Sequence, residues 1–265
     1  MSGASLDSVR AKMRRARHHR DEFQTRLRGF LDGDPYHLTF DFDDKERWHN
    51  IRWAVTNVLP ADDFGLIFSD MLGNLRSALD YLAWQLVLAN NKIPDERTTF
   101  PVLEHARFGK VQDWVQKWAS VSGDRFSGVD QRWIDEIERL QPYKRTKPPE
   151  RDPLAILENI NNIHKHRTLP VAITTMERTE MLIAVDVLPE GETLTFEEAL
   201  DKSIEHRAVA VRFRASTKQQ LHVQVNQPTT YRISFRDTLG FDWGNNDDLI
   251  RWVEEIVAVF EPAFP

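Results

Sequence analysis

The 265-residue sequence contains no cysteine, which excludes disulfide frameworks, thiolate zinc sites and thiol catalysis. Long apolar runs are missing too, since the uncharged stretch from Tyr81 to Asn91 is far shorter than the roughly 18 residues of a spanning helix. The polar N-terminus is followed by no apolar segment, so we expect no signal peptide and a cytoplasmic protein. Glycine-rich phosphate loops, HExxH, GxSxG and calcium-loop motifs are also absent, which argues against nucleotide binding by a phosphate loop.

The composition that remains is that of a globular protein, with 41% hydrophobic and 29% charged residues. Charge is placed unevenly. Residues 1–31 carry eight basic and three acidic side chains, whereas residues 237–261 carry seven acidic and one basic. We expect the two ends to attract each other, within one chain or between chains. A basic arm could also bind RNA, but the formal net charge of −6 makes this partner less favoured.

The first third of the sequence predicts a helix, a hairpin and a second helix. Apolar residues spaced three and four apart indicate a helix over residues 5–31, in which Arg20 occupies one apolar position and therefore predicts an acidic partner. Two β-rich runs at 36–42 and 47–59 are typical of a hairpin. The broad apolar face of 63–90 predicts the central helix of the fold.

The middle of the chain predicts shorter helices separated by loops. They are expected over residues 111–119, 129–140 and 153–166. Asp152 and Pro153 form an N-cap and first-turn signal for the third of them. The Gly/Ser-rich residues 120–128 predict a loop, and no helix is expected to continue through the Pro-rich, basic segment 141–151.

Beyond Leu169 the apolar pattern changes to a period of two, which predicts strands. The strands are expected at 171–173, 181–187, 208–213, 221–225 and 231–235, followed by a helix over 246–260. The fold class is therefore α+β: an N-terminal helical bundle with an inserted β-hairpin, and a C-terminal antiparallel sheet covered by a terminal helix. We expect domains over 1–169 and 170–265, which could also form one continuous domain.

One polar patch interrupts the central helix. Arg76 and Asp80 are four residues apart, so they share a side of the helix at the edge of its apolar face, near Asn74. A structural ion pair that holds helices in register is the favoured interpretation. The alternative is a binding site.

A second polar patch ends the helix that Asp152 caps. His164 follows the inward residues at helical spacing and should point inward, as should Arg167 if the helix persists, whereas Lys165 and His166 should face outward. A hydrogen-bonded core histidine is the more common role for such a residue. Because a spacing of two sends His164 and His166 to opposite sides of a helix, we expect no metal site, and no cofactor is indicated.

The two patches together resemble a family of uncharacterised bacterial proteins. The resemblance rests on Asn74 to Asp80, Phe100-Pro101, Leu140-Gln141-Pro142 and Asn162 to Arg167. It spans residues 36–169 and implies that the Arg/Asp helix and the Lys-His-Arg segment belong to one unit. The family is expected to carry Asp where this chain has His164.

A more distant resemblance is to HEPN domains, helical bundles that include metal-independent ribonucleases. The resemblance implies catalysis by Arg and His, which can stabilise phosphorane-like charge and move protons. The usual motif, Arg followed after about four to six residues by His, is absent near His164 and His166. Its one literal match runs from Arg14 to His19.

These observations favour a binding or interaction protein with a polar pocket for a small anionic ligand. Arg76 and Arg167 would bind the anion, Asp80 would orient them, and Asn74 and Lys165 would complete the site. A metal-independent ribonuclease that uses His164 and His166 is the alternative, and a structural, oligomer-forming protein is the third. The complementary ends and the apolar central helix also predict a homodimer, and no membrane partner is expected.

Overall fold

The computed structural model describes most of the helical part of the chain and short strands of the remainder. The described residues are 3–103, 111–145, 149–164, 171–175, 183–185, 191, 193–198, 208–215, 223–225, 231–235 and 246–264. Within them the α+β class is confirmed. None of the helices in these ranges has both the length and the hydropathy required to cross a bilayer.

The helices follow the predicted apolar periodicity closely. They are α1 (Asp7–Leu31), α2 (Ala61–Ala89), α3 (Val111–Arg125), α4 (Gln131–Arg139), the single turn α5 (Pro142–Arg145), α6 (Pro153–His164) and α7 (Asn246–Phe260). The apolar face of α2 is fully buried at Phe68, Leu72 and Leu75. The rings of Phe23 and Phe64 pack edge to face at 4.9 Å and join α1 to α2. The central helix is thus confirmed.

Helix α3 is longer than the sequence predicts. Residues 120–125 are helical, so the predicted loop over 120–128 is wrong in its first part. The extension is anchored by buried aromatic rings near its end, since Trp118 and Phe126 lie 6.3 Å apart between centroids. Tertiary packing thus overrides the low helix propensity of Ser and Gly. The loop that follows turns at Gly128, whose φ is +100°.

The strands form one four-stranded sheet and two pairs. They are β1 (Tyr36–Asp43), β2 (Trp48–Val55), β3 (Val171–Thr175), β4 (Ile183–Val185), β5 (Leu194–Glu198), β6 (Val209–Ala215), β7 (Val223–Val225) and β8 (Tyr231–Phe235). The larger sheet is antiparallel in the order β1-β2-β6-β5, while β3 pairs with β8 and β4 with β7. The β1–β2 hairpin is as predicted. Strand β5 was not predicted.

The chain divides into two compact units that are not sequential. A helical unit contains residues 1–24, 62–169 and 245–265, and a sheet unit contains 25–61 and 170–244. The expected boundary at 169 coincides with a unit boundary. The hairpin, however, belongs to the sheet unit, because β2 pairs with β6. Helix α7 belongs to the helical unit, where it contacts α6.

The oppositely charged ends pair within the helical unit. Side chains of α1 bind those of α7 and the turn that follows it, in the pairs Arg10 with Glu261, Arg17 with Glu254 and Arg20 with Asp247. The acidic partner predicted for Arg20 is confirmed, with Nη1 2.6 Å from Asp247 Oδ1. Between the two options that the sequence leaves open, the contacts are those of a single chain.

Candidate functional site

Arg76 forms the centre of a polar cluster inside the helical unit. Its side chain is only 11% exposed. Each of its three nitrogens donates a hydrogen bond to a group of this chain: Nε to Glu158 Oε2 at 2.8 Å, Nη1 to Asp80 Oδ1 at 2.7 Å and Nη2 to the Phe100 carbonyl at 2.7 Å. The guanidinium therefore bridges α2, α6 and the segment that follows α2.

Asp80 lies one helical turn beyond Arg76, as the spacing predicts. Its Oδ1 accepts hydrogen bonds from Arg76 and from the Phe100 backbone N–H, the latter at 2.9 Å. Among the described residues, none donates a hydrogen bond to the second oxygen, Oδ2. Burial raises the pKa of Asp80 above its ordinary value, because the loss of water outweighs the opposing effects of Arg76 and the Phe100 N–H.

Glu158 is the second carboxylate of the cluster, and the sequence analysis missed it. It lies on α6, and its other oxygen, Oε1, accepts a hydrogen bond from Asn162 Nδ2 at 3.2 Å. A single cation thus faces two carboxylates. The only signal in the sequence is a lone acidic residue on the predicted apolar helix 153–166, which indicates a buried or edge charge without naming its partner.

The Phe100-Pro101 step is fixed from two sides. Phe100 is fully buried, and both its N–H and its carbonyl bind the Arg76–Asp80 pair. Gln141, also fully buried, donates from Nε2 to the Pro101 carbonyl at 3.1 Å and accepts the Leu103 N–H at 2.9 Å. Three segments that carry the sequence resemblance therefore meet in one hydrogen-bond network.

A cleft of about 440 Å³ opens beside this cluster. The described residues that line it come from the start of α1, from α2 and from the segment before Phe100, and they are Ser8, Asp80, Tyr81, Trp84, Gln85 and Thr98. Tyr81 and Trp84 are 42% and 41% exposed, although both are aromatic. The cleft therefore combines a carboxylate with open ring surface, and the sequence analysis named only Asp80 among its lining.

Of the remaining predicted site residues, Asn74 alone has a described side chain, and Asn74 is not among the residues that line the cleft. Asn74 Nδ2 donates to the Asp70 carbonyl at 2.7 Å, one turn back on α2. His164 is the last residue of α6, and its side chain lies outside the described part of the structure. Lys165, His166 and Arg167 lie outside the described residues altogether, so their predicted roles stay predictions.

No group of three or more His, Asp or Glu side chains within the described ranges is arranged to hold a metal ion. Comparisons of the chain with protein-family models, with curated proteins and with solved structures gave no match. The functional argument therefore depends on the geometry of the cleft alone.

Proposed function

We propose that this chain is a ligand-binding protein and that its site is the cleft beside Asp80. The observation that carries the proposal is the size of this cleft together with the chemical groups that line it. A cleft of about 440 Å³ lies within the size range of small-molecule sites. Its lining combines Asp80, whose Oδ2 accepts no hydrogen bond from the described residues, with two half-exposed aromatic rings.

In this proposal Arg76 positions the site and does not itself bind the ligand. All three of its nitrogens already donate to groups of the chain, and its side chain is largely buried. The anion-binding role predicted for Arg76 would require breaking one of these bonds. The anionic ligand stays a prediction that depends on Lys165 and Arg167, which lie outside the described residues.

The ribonuclease alternative also stays a prediction. It needs imidazole groups at His164 and His166, and it expects RNA cleavage in EDTA that falls roughly 100-fold in the double variant His164→Gln, His166→Gln. No contact among the described residues favours it over ligand binding.

The predicted homodimer loses both of its supporting arguments, since the charged ends pair within one chain and the apolar face of α2 is buried. It stays a prediction. Light scattering at micromolar concentration distinguishes a 31.0 kDa species from one of twice that mass.

Ligand binding is tested by a thermal-shift screen of small molecules against the full chain. We expect compounds that raise the melting temperature of the wild type and lose this effect with Trp84→Ala, which removes a wall of the cleft. Leu66→Ala is the matched control, because Leu66 is a half-exposed apolar residue on the same helix and is not among the residues that line the cleft. If no compound shows dependence on Trp84, the proposal is wrong.

A further inference from the structure

The ligand class can be inferred from the charges around the cleft. Of the six described residues that line it, Asp80 carries the only carboxylate, and none carries an ammonium, guanidinium or imidazole group. Behind Asp80, the Arg76 charge is shared with Glu158. Within this cluster one cation faces two carboxylates, so the cluster itself has an excess of negative charge when both are ionised.

The free oxygen of Asp80 is suited to a charged donor. A carboxylate that is partly removed from water forms stronger interactions with a cation than an exposed one, because the local dielectric is lower. Since Oδ1 is held by Arg76 and the Phe100 N–H, the carboxylate is fixed in orientation before a ligand arrives. An ammonium N–H donating to Oδ2 would therefore need little rearrangement of the chain.

Trp84 provides an aromatic surface close to Asp80 on the same helix. Trp84 follows Asp80 by four residues on α2, so the two side chains are neighbours on the helix surface, with Cβ atoms about 5 to 6 Å apart. Indole is the strongest of the aromatic partners for cations and stacks on flat rings. A ring on Trp84 and an amine on Asp80 would thus be separated by only a few bonds.

Tyr81, one of the lining residues, already contacts a cation of the chain. The Lys12 ammonium lies 5.4 Å from the centroid of the Tyr81 ring, so one face of the lining is occupied by a cation from α1. A positive charge this close to a lining residue should weaken the binding of a cationic ligand and strengthen that of an anionic one. Lys12 therefore provides a sign-sensitive probe of the ligand charge.

Resting on the proposed function, we propose that the cleft binds a flat aromatic ring linked by a short chain to a protonated amine, with the amine on Asp80 and the ring on Trp84. The probes are three compounds of similar size whose terminal groups are cationic, neutral and anionic: 2-phenylethylamine, 2-phenylethanol and phenylacetate. Binding to the full chain is measured by calorimetry and by quenching of tryptophan fluorescence.

We expect the amine to bind at least about tenfold more tightly than the alcohol, and phenylacetate not to bind. Asp80→Asn keeps an oxygen for the Phe100 N–H but removes the charge, so amine affinity should fall about tenfold while the melting curve stays cooperative. Trp84→Leu should lower the affinity for every compound that binds through its ring. Lys12→Met should raise the affinity for the amine about two- to fivefold. Leu66→Ala should change nothing.

The outcomes separate this inference from the proposed function. Equal binding of amine and alcohol, or tighter binding of phenylacetate that Lys12→Met weakens, overturns the cationic class. So does a failure of the amine to bind at millimolar concentration. If the screen still yields compounds that depend on Trp84, ligand binding at the cleft survives and only the class is wrong. If it yields none, both proposals fail.

Discussion

Replacement of Arg76 by Met tests the central cluster directly. The variant keeps an apolar stem of similar length but loses the hydrogen bonds to Asp80, Glu158 and the Phe100 carbonyl. Removing one partner of a buried ion pair costs about 3 to 5 kcal/mol, because the remaining charge is uncompensated. Asp80 and Glu158 are 32% and 24% exposed, so water relieves part of this cost. We therefore expect a loss of about 3 kcal/mol at pH 7.

The loss should also depend on pH. Glu158 already acts to raise the pKa of Asp80, and the opposing effect of Arg76 disappears in the variant. A carboxyl whose folded pKa lies above its unfolded pKa contributes stability at low pH that is lost as the pH rises through the folded value. The deficit of Arg76→Met relative to the wild type should consequently shrink between pH 7 and pH 5.

Urea denaturation followed by tryptophan fluorescence measures this free energy at both pH values. Arg97→Met is the control, because Arg97 also contacts two carboxylates, Asp95 and Asp124, but is 63% exposed. Such a surface pair should change stability by no more than about 0.5 kcal/mol. An equally small change for Arg76→Met, or a deficit identical at pH 5 and pH 7, would refute the description of Arg76 as the buried centre of the cluster.

Three further predictions concern Asp80, the loop after α3 and α3 itself. Because burial raises the pKa of Asp80, ionisation of this carboxyl lowers the stability of the wild type as the pH rises. Asp80→Asn cannot ionise, so its urea midpoint should vary less than that of the wild type between pH 4 and pH 8. Parallel profiles of the two proteins would contradict the raised pKa. Gly128→Ala should destabilise the chain by about 1 to 3 kcal/mol, since φ is +100° and the added Cβ would lie 2.8 Å from Lys92 Cβ. Gly123→Ala, inside α3 with open space around it, should instead stabilise by about 0.5 to 1 kcal/mol, and a loss there would argue that residues 120–125 are not helical.

Local signals in the sequence were sufficient for the start of α6 and for one ion pair of α1, although not for the end of α3. The start of α6 follows from Asp152, whose Oδ1 accepts the Leu154 N–H at 2.9 Å. The charged residue in the apolar series of α1 led correctly to an acidic partner for Arg20. In both cases the evidence lies within a few residues of the feature, because capping and helical spacing are local properties.

The errors come from contacts between distant residues. Strand β5 alternates only as far as Leu194 and Phe196 and ends in Glu197 and Glu198, so its sequence alone is too short a pattern to indicate a strand. It forms at the sheet edge because β6 offers a pairing surface, with Phe196 opposite Phe213 and Glu197 bound to Arg212. An edge strand of this kind is defined by its neighbour and not by its own pattern.

The difference between local signals and distant contacts also applies to the candidate site. The four-residue spacing of Arg76 and Asp80 is sufficient to predict that they pair. A pair of one cation and one carboxylate has no net charge, and the sequence therefore led to the prediction that Arg76 binds an anion. Glu158 lies 82 residues from Arg76 in the chain and accepts a hydrogen bond from Arg76 Nε. It thereby adds a second carboxylate to the pair. The charge of the cluster therefore depends on a distant carboxylate that local spacing does not reveal, whereas the Arg76–Asp80 pair follows from spacing alone.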